Sequence, residues 1–133
     1  MSAAGRGHHP GSARVLVVDD DADILNFIRG VLEDEGHTVM AVADGGQAVS
    51  VAEDFAPDLL IVDVTLPVLS GHLVTAHVRE LRGDAFPVLV VTADGQAVEQ
   101  ARQLGAYAYL RKPFELDELL ERVAVGISRV NRG

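Results

Sequence analysis

The chain has 133 residues, 48% of them apolar, no cysteine and a net charge of −9. That is enough for one domain with a real core and too few for two; disulfides and thiolate metal sites are excluded, and the acidic balance disfavours nucleic-acid binding through phosphate neutralisation. No run reaches about 18 consecutive apolar residues and the N-terminus lacks an apolar signal core, so a cytoplasmic protein without a membrane partner is expected.

Met1 to Ala13 holds Gly5, Gly7, Pro10, Gly11 and Ser12 without apolar periodicity and reads as a disordered tail, in which His8 and His9 are solvated. Arg14 to Asp19 (RVLVVD) is a buried strand that ends in Asp19, Asp20 and Asp21. Asp21 or Asp23 caps the next helix, where Ile24, Leu25, Ile28, Val31 and Leu32 recur at helical spacing. Gly30 inside it costs about 1 kcal/mol against Ala, and Gly36 ends it as a C′ glycine. His37 to Ala43 is a second strand, and Gly45 to Phe55 a short helix with Ala48, Val49, Val51 and Ala52 inward.

Asp58 to Asp63 (DLLIVD) is the central strand, a short apolar run with a single carboxylate at its far end. An unpaired charge inside a buried strand is very costly. Asp63 therefore belongs at the C-terminal end, where an open parallel sheet exposes a crevice; a simple turn cap is the alternative. A helix runs from about Gly71 to Leu81, with Leu73, Val74, His77, Val78 and Leu81 as core positions. Val88 to Thr92 is the fourth strand, Gln96 to Leu104 a weak helix ended by Gly105, and Tyr107 to Leu110 the last strand. Glu115 starts the final helix, with Leu116, Leu119, Leu120, Val123 and Ile127 on one face.

Strands and helices alternate five times, which specifies an α/β fold with a parallel sheet and helices on both faces. Asp19, Asp20, Asp63, Thr92 and Lys112 then stand at successive strand ends. Singly they read as two caps, a turn acid, a strand threonine and a surface lysine. Together, three acids repel unless a cation intervenes. Mg²⁺ takes oxygen ligands and keeps waters that phosphoryl oxygens can replace. Asp63 would be the nucleophile, with Mg²⁺, Thr92 and Lys112 stabilising the transferred charge.

With these residues in order, the sequence resembles the response-regulator receiver domains of two-component signalling. The likeness runs from Val15–Asp21 through Asp58–Asp63, Leu66-Pro67…Gly71 and Val90–Ala93 to Gly105-Ala106…Tyr109–Phe114, and covers about residues 14 to 130. The resemblance implies the flavodoxin-like strand order 2-1-3-4-5. It makes Asp63 the acceptor of a phosphoryl group from a sensor histidine kinase or histidine phosphotransfer protein. It implies Mg²⁺ on Asp19, Asp20, Asp63 and the Thr65 carbonyl, and a cis bond between Lys112 and Pro113. Thr92 and Tyr109 would turn together as a two-state switch, read by an output protein on the fourth helix, fifth strand and fifth helix. A phosphorylation-dependent homodimer is also admitted. Thr65 and Asp94 occupy positions that tune phosphoryl lifetime in the family.

Two departures stand out. The loop after the acceptor reads Pro67-Val68-Leu69-Ser70-Gly71, where the family usually has Pro-Gly-x-Asp-Gly; a different turn explains this more simply than partner packing by Val68 and Leu69. The stretch from Thr92 to Gly105 is shorter than usual by about two residues. Residues 131–133 carry no output domain, so a stand-alone receiver or an N-terminal piece of a larger regulator is expected. The rival readings are a degenerate receiver that signals without phosphorylation, a haloacid-dehalogenase-like phosphatase suggested by Asp19-x-Asp21, and a flavodoxin-like flavin binder. The phosphatase lacks its expected Thr at Asp23, and three acids would repel a flavin phosphate.

Overall fold

A computed structural model describes residues 12–66, 69–93 and 95–132. The tail before Ser12, and with it His8 and His9, lies outside the described residues, as do Pro67, Val68 and Asp94. The elements in order are β1 (Arg14–Val18), α1 (Ala22–Asp34), β2 (Thr38–Val42), α2 (Gly45–Phe55), β3 (Leu59–Val62), α3 (Gly71–Arg82), β4 (Val88–Thr92), α4 (Ala97–Leu104), β5 (Ala108–Arg111) and α5 (Leu116–Arg132). All strand pairs are parallel, in the order β2-β1-β3-β4-β5. This is the flavodoxin-like α/β architecture that the alternation and the resemblance imply.

Side chains on a strand alternate between faces, and this sorts the core. Val15, Val17, Leu59, Ile61, Leu89 and Val91 point to one face, where Ile28 and Leu32 of α1 and Leu119, Val123 and Ile127 of α5 cover them. Leu16, Val18, Leu60, Val62 and Val88 point to the other, under Ala48, Ala52 and Phe55 of α2 and Val74 and Val78 of α3. Each large side chain buried this way contributes about 1.5–3 kcal/mol. α4 rests on a far smaller patch, its own Ala101 and Leu104 against Val64 and Val90.

Helix ends follow local chemistry. Asp21 caps α1 by accepting from the N–H of Asp23 and Ile24, Asp44 caps α2 and Ser70 caps α3. Gly36 closes α1 at φ +93°, which a glycine adopts without strain. Several positions differ from the sequence reading. Leu73, Leu81 and Leu116 are exposed, because the sheet beneath α3 and α5 accepts a narrower stripe than helical spacing alone suggests. The last helix begins at Leu116 and the central strand stops at Val62, so Asp63 sits just beyond the ladder. Ala13, read with the tail, is packed into the core, its N–H donating to His37 Nδ1 at 3.1 Å.

Candidate functional site

Four chain segments meet at the carboxyl ends of the strands. Asp19 follows β1 and Asp63 follows β3, and the Asp63 N–H donates to the Val18 carbonyl at 3.0 Å. Both carboxylates are buried, whereas Asp20 is exposed. Thr92 ends β4, fully buried, and its carbonyl accepts from the Lys112 N–H at 3.0 Å. Lys112 follows β5, with a cis bond to Pro113.

Lys112 Nζ ties the distant segments together. It donates to Asp19 Oδ1 at 3.1 Å and to Asp63 Oδ2 at 2.9 Å. It also lies 2.9 Å from Asp19 Oδ2, but at an angle that makes no hydrogen bond. Burial pushes the Lys112 ammonium down, yet its bonds to Asp19 and Asp63 outweigh that and hold it above its usual value. Asp19 is shifted up: burial disfavours its charge, and Lys112 together with the Asp21 N–H only partly offsets this. The two directions are consistent, because one ammonium serves two carboxylates and neither receives its full compensation.

Asp63 is held from the other side by Thr65. The Thr65 N–H and hydroxyl donate to Asp63 Oδ1 at 2.9 and 3.1 Å. Its two oxygens thus face different donors, and the carboxylate is oriented rather than free to rotate. Gly71 closes the loop behind it: a Cβ there would stand 2.7 Å from the Asp63 carbonyl oxygen, so only glycine permits this approach. Leu69 packs onto the α2 and α3 side of the core and Ser70 caps α3, while the turn read at Pro67 and Val68 lies outside the described residues.

The acidic group suits a hard divalent cation. Carboxylate oxygens of Asp19, Asp20 and Asp63 lie within 4.8 Å of one another. Asp19 Oδ2 is buried and accepts no hydrogen bond. A buried carboxylate oxygen in that condition is expensive, and Mg²⁺ is the kind of partner that would relieve it. Asp19, Asp20 and Asp63 are the residues that would hold the ion. Tyr109 is half-buried on β5, opposite Val90, and borders the small patch beneath α4. Asp94 lies outside the described residues. The sequence reading did not single out Phe27 of α1, which meets Phe114 beside the site with ring centroids 6.2 Å apart; a lone aromatic on a helix face carries no signal that would have found it.

A family model for the response regulator receiver domain matches residues 15–124. The chain belongs to that family. It is 41% identical over 129 residues to the transcriptional regulatory protein TcrA of Mycobacterium tuberculosis, an alignment covering 90% of this chain and 50% of TcrA. It is 40% identical over 120 residues to the response regulator MprA of Mycobacterium ulcerans, covering 89% and 51%. The chain thus spans about half the length of these curated relatives. Among solved structures, a CheY-like receiver domain protein from Methanospirillum hungatei superposes with a TM-score of 0.80 at 28% identity, covering 90% of this chain and 96% of that one. No described helix is long and apolar enough to cross a membrane.

Proposed function

We propose that this receiver domain is a phosphorylation-dependent switch in which Asp63 accepts a phosphoryl group from a phosphohistidine donor. The observation that carries this is the shared Lys112 contact: a half-buried ammonium within hydrogen-bond distance of two buried carboxylates at adjacent strand ends. An Asp63 oxygen attacks phosphorus as the P–N bond to the donor imidazole breaks, leaving an acyl phosphate on the protein. Bound Mg²⁺ would neutralise phosphoryl oxygens. Asp19 and Asp20 supply its protein ligands beside Asp63, with the Thr65 carbonyl as a further one. Lys112 stays beside the transferred oxygens as a fixed positive charge, while the Thr65 amide and hydroxyl keep the acceptor aimed. Thr92 answers the new charge and Tyr109 turns with it, shifting the domain to a form that a protein partner reads. The donor would be a sensor histidine kinase or a histidine phosphotransfer protein.

Intact mass after incubation with acetyl phosphate and Mg²⁺ tests this. One labile phosphoryl group is expected, absent without Mg²⁺ and in Asp63→Asn, and strongly reduced in Asp20→Asn. No gain in mass, combined with unchanged amide chemical shifts in beryllofluoride and Mg²⁺, would sink the reading and leave a receiver that acts without phosphorylation.

A further inference from the structure

Among the described residues, α4 is fastened to α3 at two points of unequal kind. At its C-terminal end, Arg79 of α3 donates to the carbonyls of Leu104 and, at 3.0 Å, Gly105, with a longer bond of 3.4 Å to the Phe86 carbonyl. The last carbonyls of a helix lack partners within it and carry its negative dipole end. A guanidinium placed there makes charge-assisted bonds to two of them, the strong class of hydrogen bond. In the middle of α4 the tie is a single neutral bond, His72 Nε2–H to Gln100 Oε1 at 2.8 Å. Neutral bonds of this kind are the weak class.

The packing beneath α4 is thin. The helix has eight residues and buries Ala97, Ala101 and Leu104, the last two against Val64 and Val90. Val64 follows the acceptor Asp63, Val90 precedes Thr92 by one turn of the strand pleat, and Tyr109 borders the same patch. Upstream, α4 joins Thr92 through a short segment with Gly95, around which a side chain would meet nothing within 4 Å. α3 itself starts at Gly71, against the Asp63 carbonyl. A small apolar patch is cheap to shift, and here the residue after the acceptor and the switch strand both contribute to it.

We propose that Arg79 is the fixed pivot of α4 and that the His72–Gln100 hydrogen bond is a latch which holds its N-terminal half in the resting position. Release of the latch lets that half follow Thr92 while the C-terminal end stays clamped. This rests on the switch reading above and adds how the resting state is held.

The test uses the full chain, with beryllofluoride and Mg²⁺ as the activating probe and amide chemical shifts as the readout. Gln100→Leu keeps the bulk of residue 100 and removes the acceptor. Without the probe, the signals of residues 97–100 should move part of the way along the line joining free and probe-saturated wild type. Half-saturation should come at about 2- to 10-fold lower probe concentration, the population shift that one neutral hydrogen bond holds back. His72→Leu should do the same, and the double variant no more. Arg79→Met should speed amide exchange at residues 101–105, which stay protected in Gln100→Leu. Wild-type signal positions and half-saturation in both latch variants would overturn the proposal. If wild type itself ignores the probe, the phosphorylation reading fails instead, and exchange alone decides: protection of residues 101–105 lost only in Arg79→Met supports the pivot, and equal exchange in all variants overturns it.

Discussion

The two ends of the sheet treat polar groups in opposite ways. At the amino end several charged and polar groups are paired one to one, although Arg79 Nε is buried without a partner. The Arg14 N–H donates to Asp58 Oδ2 at 2.9 Å, and the Arg14 side chain donates to the Phe55 carbonyl at 2.7 Å while stacking over its ring. Arg82 lies 3.7 Å from Asp58 near the surface, and the Tyr107 hydroxyl donates to the Arg122 carbonyl at 2.7 Å. At the carboxyl end, one ammonium is shared by two buried carboxylates with a third acid alongside. Selection for stability alone would not leave one ammonium shared by two buried carboxylates. The excess negative charge at that end is what a bound divalent cation would offset.

Removing the cation should sharpen this contrast most. Lys112→Met leaves Asp19 and Asp63 facing each other unpaired, and should lower stability by about 3 kcal/mol at neutral pH, read as a drop in the urea midpoint. Part of the loss should return when Asp63→Asn is added, because the remaining carboxylate then has no like charge beside it. An unchanged midpoint would mean that the site is solvated and that the two ends are alike.

At the amino end the largest effect should come from Tyr107, at about 1 kcal/mol for Tyr107→Phe. Its pH dependence has a definite sign. Burial is the main cause that pushes the phenol well above its ordinary value of 10.0, with Arg129 and Arg122 only partly opposing. The folded state therefore keeps the proton after the unfolded chain has lost it. The contribution is fully present below pH 10.0 and is lost as pH rises beyond it. Chemical denaturation across that range should show stability falling with pH, and a shallower slope in Tyr107→Phe. Lys112, also held above its ordinary value by its two carboxylates, supplies part of the slope that remains.

The smallest effect should be that of Arg82→Ala. Its pairing with Asp58 is long and partly exposed, so a change of no more than about 0.5 kcal/mol is expected in the same urea experiment. A loss as large as that of Lys112→Met would erase the distinction between an amino end built from cheap surface pairs and a carboxyl end built from buried ones.

Much of this was legible in the residues. Apolar runs such as Val15–Val18 and Leu59–Val62 announce strands because a run with no polar alternation can only be buried on both faces. The five polar residues at their ends follow from the cost of putting them anywhere else in those runs. Local capping was legible for the same reason: Asp21, Gly36 and Gly105 act on neighbours a few residues away.

What the sequence could not settle depends on contacts between residues far apart in the chain. Lys112 reaches Asp19 across 93 positions and Asp63 across 49, and nothing in its neighbours says it is not one more surface lysine. Helical spacing places Leu73, Leu81 and Leu116 on apolar faces, yet how wide a stripe each helix buries is decided by the sheet beneath it. The Arg79 clamp and the His72–Gln100 bond belong to the same class. Patterning determined which residues must leave water and which must stay at strand ends; only the tertiary structure decided which of them meet, because hydrogen bonds and ion pairs depend on distances that a linear pattern does not encode.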